Sequence, residues 1–221
     1  MNPSSALLVE NFDRFLAAFE KYCPFKRPEQ IEGHRSTIMR RRQLGSAVAA
    51  IHDQQFVDDL YRTLGAWGIG SRASRLVPLN AFGAALRAVE ASIASLESRT
   101  LEEASRDPQA LAYLWSLISS LAIVENDARL VAGTKALHHI LPDLVVPMDR
   151  AYPQVFFGWQ NPKFQYGQHD CFRDAHEVFG EVARAIDLSR YVGRSSWSTS
   201  RMKVVDNAVV GAICSLKEGA D

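Results

Sequence analysis

The chain has 221 residues, 47% of them hydrophobic and 23% charged, the balance of an ordinary globular protein with a sizeable core. Lys and Arg total 25 against 25 Asp and Glu, so there is no global basic excess of the kind that coats nucleic acid, and any phosphate-binding surface has to be local. Cys23, Cys171 and Cys214 are scattered without CxxC spacing, which argues against a disulfide framework or a zinc knuckle and for reduced thiols.

The opening stretch, MNPSSALLVENFDRF, has no basic start and meets Glu10 and Asp13 early, unlike a signal peptide. No uncharged apolar run reaches the roughly 18 residues of a membrane span. The expected location is therefore the cytoplasm, with no membrane partner. Leu7, Leu8, Phe12, Phe15, Leu16 and Phe19 recur at helical spacing between Ser4 or Ser5 and the stop at Pro24. A second helix is predicted over 28–51, with Arg40, Arg41 and Arg42 spread around it rather than along one face. Asp53 caps a third, whose stripe is Phe56, Val57, Leu60, Tyr61 and Leu64.

Gly65, Gly68 and Gly70 surround Trp67 and predict a loop reaching Pro78, with one short extended piece at 75–79. Helices over 80–96 and 107–124 follow. The second starts on the pair Asp107-Pro108 and is apolar nearly all round, so it is the expected buried axis. Asn126 or Asp127 caps the next helix, which ends near Ile140 ahead of Pro142. Pro147 is expected to open another helix with Asp149 in its first turn. A loop at 158–167 and helices over 170–186 and 199–216 complete the chain. The expected fold class is all-α, a single compact domain over 1–221 of about eight helices, with 1–66 as a candidate N-terminal subregion and 80–221 as core.

Chemistry concentrates in 133–150. Gly133 removes a side chain just before Lys135, where another backbone or a ligand can approach. Lys135 lies one turn before His139, and Asp149 is expected where free amides and the helix dipole favour a carboxylate. A buried lysine that loses its proton can attack a sugar C1′ carbon, while a nearby carboxylate supports developing positive charge.

These residues resemble a known family. Gly133-Thr134-Lys135 followed by Pro147-Met148-Asp149 is similar to the helix-hairpin-helix base-excision DNA glycosylases. There a glycine-rich hairpin ends in Gly-x-Lys, and a catalytic Asp follows at the start of a later helix. The resemblance implies an all-helical glycosylase-like fold, Lys135 as nucleophile and Asp149 as its electrostatic partner. The chain carries one glycine, Gly133, where the family's hairpin carries two and a proline, and no four-cysteine iron–sulfur motif follows.

Other candidates surround this core. His139, Arg150, Trp159 and Tyr166 lie close to the segment in sequence and are candidate ligand contacts, the aromatics by stacking on bases. Arg40 and Arg41 are candidate phosphate contacts, against the alternative of a solvated helix face. His138 and His139 are adjacent and point apart, and no HExxH spacing marks a metal, so neither metal nor cofactor is implied. Asp206 and Asn207 sit amid apolar residues and need buried partners. No phosphate-binding NTPase loop, dinucleotide fingerprint or hydrolase elbow is present. Three readings stand: an enzyme acting on a nucleobase–sugar bond, a non-catalytic binder of nucleic acid or a nucleotide, and a helical interaction or oligomerisation protein in which Lys135–Asp149 is a structural ion pair.

Overall fold

Caps and breakers decide where each helix starts and stops. In the computed structural model, which describes residues 1–70 and 74–218, the chain is all-helical. Asn2 caps α1 (Pro3–Glu10) by accepting the Ser4 amide at 2.9 Å. Asn11 then bends the chain into α2 (Phe12–Tyr22), splitting the single helix expected there. The helix predicted over 28–51 is likewise two, α3 (Pro28–Gln43) and α4 (Ala47–His52). Gly45 takes a left-handed φ of 73° between them, and Ser46 caps the restart. Asp53 caps α5 (Gln54–Ala66) as expected.

Residues 71–73 of the predicted loop lie outside the described residues. Beyond them, the extended piece expected at 75–79 makes a single antiparallel bridge, Leu76 to Val124. The helix predicted over 80–96 breaks at Val89 into α6 (Leu79–Ala88) and α7 (Glu90–Leu96). Then come α8 (Leu101–Ala104), α9 (Pro108–Ser120, capped by Asp107) and α10 (Arg129–Ile140). The stretch expected as a loop at 158–167 holds a short helix, α12 (Asn161–Tyr166), after α11 (Ala151–Phe156). The chain closes with α13 (Gln168–Ala185), a 3-10 turn at Leu188–Tyr191 and α14 (Arg201–Glu218). Fourteen α-helices among the described residues thus replace the eight or so expected, because local breakers cut what hydrophobic periodicity runs together.

The buried axis is α10 together with α14, whose residues 202–214 are all buried, and not α9. Every residue from Ala132 to Ile140 is buried, whereas α9 leaves Tyr113 42% exposed. An apolar helix still has an outer face, while the polar residues of α10 go inward because partners wait for them. One continuous apolar core runs from Leu8 to Ala212, with α2 lying along α14 and α3 against α5 and α10. No helix among the described residues is long and apolar enough to cross a membrane.

The arginine triplet of α3 acts as three ties rather than a solvated face. Arg40 grips the Asp53 carboxylate with two bonds, 3.0 and 2.7 Å, and Arg42 donates to the Thr199 carbonyl. Arg41 is buried, donating to the Ile140 carbonyl at 2.8 Å and to Glu97 at 2.7 Å. Arg41→Leu should therefore cost about 2 kcal/mol by stranding the Glu97 carboxylate and the end of α10. Urea unfolding reads this as a lower midpoint at unchanged slope, and an unmoved midpoint would show that the pair contributes nothing.

Candidate functional site

A narrow cleft, with about 40 Å³ of space for water-sized groups and about 380 Å³ when its open mouth is included, lies where α10, α14 and the end of α5 converge. Its walls are Trp67, Trp197, Phe25 and Pro147, and its polar groups are Gln30 and two lysine–aspartate pairs, Lys135 with Asp149 and Lys203 with Asp206.

Lys135 projects from the buried axis, so its ammonium reaches the cleft through a nearly water-free sheath. It donates to Asp149 Oδ2 at 2.9 Å and to the Trp67 carbonyl at 3.1 Å. Asp149 is not in the first turn of a helix opened by Pro147. The link stays non-helical past Pro147, where the Met148 amide donates to Thr134 Oγ1 at 3.1 Å and pins the segment against α10. The helix starts only at Ala151, whose amide donates to Asp149 Oδ1 at 3.1 Å. Burial pushes the Asp149 carboxyl up, but the Lys135 ammonium, by charge and hydrogen bond, outweighs it with help from the Ala151 and Arg150 amides. The net effect holds Asp149 below the ordinary carboxylate value, as an anion at neutral pH.

The second pair was only half visible in the sequence. Asp206 and Asn207 stand out in the sequence as polar residues in an apolar run, and their partner in the fold is Lys203. Lys203 is 1% exposed and donates to Asp206 Oδ2 at 2.5 Å and Asn207 Oδ1 at 2.7 Å. The spacings of three and four residues put all three on one face of α14, a usable signal. Around the ammonium stand Trp197 at 5.0 Å, Phe19 at 5.6 Å, Trp67 at 5.8 Å and Phe25 at 5.9 Å, an aromatic cage for a cation. Burial raises the Asp206 carboxyl above its ordinary value despite Lys203, and the charge of Asp149 adds to that rise.

Beneath the cleft runs a chain of buried histidines. His139 Nδ1 lies 2.8 Å from the Lys135 carbonyl, so it carries the proton and donates there. That leaves His139 Nε2 to accept from His34 Nδ1 at 2.9 Å, and His34 Nε2 to accept from the Thr199 hydroxyl at 2.6 Å. Both rings are neutral in this arrangement. Burial lowers His139 to about 4 and His34 well below its ordinary value. His138 donates through Nδ1 to the Val145 carbonyl, and its buried Nε2 has no hydrogen-bond partner.

The structure thus brings together Lys135, Asp149 and, one layer down, His139. Gly133 sits inside α10 rather than at a hairpin, and a Cβ there would meet Ile118 Cγ2 at 2.9 Å, so its small size serves packing against α9. Arg150 turns away to Gln154 and Asn161. Trp159 is buried and stacks on Phe157 at 4.5 Å, outside the cleft, and Tyr166 is 82% exposed at the end of α12. Arg40 and Arg41 are held by Asp53 and Glu97, away from it. The aromatics that do line the cleft, Phe25, Trp67 and Trp197, come from segments far apart in the chain. No family model, curated protein or solved structure matches this chain.

Proposed function

We propose that the cleft receives a nucleobase–sugar unit and that Lys135 and Asp149 act on its glycosidic bond, as the resemblance to base-excision glycosylases implies. The observation that carries this reading is the 2.9 Å contact between a buried lysine ammonium and a carboxylate on the wall of an aromatic-lined cleft. The pair supplies both halves of the chemistry. The ammonium gives up a proton to the departing base while Asp149, held as a carboxylate, supports the positive charge developing at C1′, and the freed amine attacks C1′. The C1′–N bond breaks with its electron pair on the departing base, which takes up that proton; the C1′–O4′ bond then opens, O4′ taking a proton from the new C1′–nitrogen centre, and leaves the iminium that borohydride reduces. Trp67, Trp197 and Phe25 supply the apolar walls of the cleft. A reducing, cytoplasmic setting suits cysteines that form no disulfide among the described residues.

One observation favours a second reading, in which the pair is structural: Lys135 also donates to the Trp67 carbonyl, tying α10 to the end of α5. Borohydride trapping separates the two. The protein incubated with strands carrying abasic sites or damaged bases should form a reduced covalent adduct. Lys135→Ala should abolish the adduct, and Asp149→Asn should slow it by about a hundredfold. Absence of any adduct across a panel of lesions would sink the catalytic reading and leave the structural one.

A further inference from the structure

Outside the cleft, the loop at 193–200 has a second face. Trp197 points into the cleft, while Ser195, Ser196, Ser198 and Thr199 line a groove of about 830 Å³, its open side included, against α3. The opposite wall carries Arg35 and Arg42, and Arg194 stands at the loop itself. Among the described residues no carboxylate lines this groove. Three other grooves of similar size each hold acids: Glu10 and Asp13 in one, Asp174 and Glu177 in the next, Glu97 and Asp143 in the third. Arg42 is tied to the Thr199 carbonyl and also lines the groove that holds Glu97 and Asp143, so the charge of this groove rests on Arg35 and on Arg194, which packs over the Tyr191 ring at 5.0 Å; in a chain of zero formal charge that is a local concentration of positive charge.

We infer that this groove binds the phosphodiester backbone of a nucleic-acid strand, leading it to the cleft; the inference rests on the reading proposed above. The groove chemistry fits. Guanidinium groups and hydroxyls are the side chains that contact phosphates, and Met39, 55% exposed beside them, offers an apolar surface to a sugar or base. The loop is built to hold its shape. Gly193, with φ 82°, donates to the Ser198 carbonyl at 2.7 Å, and the Ser195 and Ser198 hydroxyls meet at 2.9 Å. Groove and cleft also share a wall. His34 stacks on Trp197 at 5.8 Å and accepts from Thr199, so the loop is fixed relative to the floor beneath Lys135. Phosphate contacts in the groove therefore position a strand without reading its sequence, while the cleft takes the base. These arginines differ from Arg40 and Arg41, which spend their charge on carboxylates.

Fluorescence anisotropy with labelled single-stranded and duplex oligonucleotides tests this directly. Arg35→Glu with Arg194→Glu, two exposed positions, should weaken binding at least tenfold and reduce the log–log salt slope by about 2. Arg87→Glu, an equal charge change per site on α6, should leave binding nearly unchanged. Equal loss in Arg87→Glu, full affinity in the groove variants, or competition by poly-glutamate as effective as by nucleic acid would overturn the groove assignment. So would failure of the wild-type protein to bind any strand at low salt. The two proposals fail separately. Strand binding that needs the groove, with no adduct at Lys135, retains the groove and removes the chemistry. An adduct at Lys135 with groove variants binding normally does the reverse.

Discussion

Acidification from pH 7 to 5 is expected to remove most of the protein's folding stability. Four histidines, His34, His138, His139 and His176, are fully buried. Burial is the largest influence on each and lowers all four, His139 and His176 to about 4 and the other two well below their ordinary value. In the unfolded chain the same groups take up protons near pH 6.5. Below that pH the unfolded state binds more protons, so it gains stability relative to the fold. The contribution is fully present above pH 6.5 and is lost as pH falls towards 4. At pH 5 each histidine represents a loss of about 2 kcal/mol, or about 8 kcal/mol for four, against a typical total of roughly 5–15.

The hydrogen-bond chain sharpens the penalty. Protonating His139 would place its Nε2 proton against the proton on His34 Nδ1. Urea midpoints measured at pH 7, 6 and 5 should fall steeply, and His176→Leu should flatten the slope by one histidine's share. Midpoints that stay level over this range would refute the account of the buried rings.

Gly211→Ala is expected to destabilise the protein by about 4 kcal/mol, the reverse of what an alanine inside a helix normally does. On an isolated helix the change would gain about 1 kcal/mol. Here α14 presses against α2 at Gly211, and an added Cβ would overlap the Phe15 carbonyl oxygen while sitting 3.1 Å from the Phe19 nitrogen. Both obstacles are backbone, so no rotamer change relieves them, and the helices have to separate. Gly65→Ala in α5, where nothing lies within 4 Å, should instead be neutral or slightly stabilising. Lys203 rides on α14 beneath the Phe19 ring, so the separated helices should also loosen the aromatic cage. Thermal unfolding of the two variants side by side checks the sign. A Gly211→Ala protein as stable as wild type would mean that the crossing is not close-packed.

Local signals are what the sequence carried. Apolar residues at helical spacing announced an all-α chain, and Asp53 and Asp107 marked helix starts because a cap acts on amides two or three residues away. Lys135 and Asp149 were legible as a pair for a similar reason, since a glycine, a proline break and two charges fall within one short segment. Only the tertiary structure decided the rest. It made α10, with α14, rather than α9 the axis, because burial of polar residues depends on partners such as His34 and Val145 that arrive from elsewhere. It brought Trp67 and Trp197 from opposite parts of the chain to one cleft, made Lys203 a caged ammonium, and left Arg35 and Arg194 facing solvent while Arg41 went inside. Periodicity reports which face of a helix is apolar. It does not report what that face meets, and the chemistry of this cleft is set by what meets there.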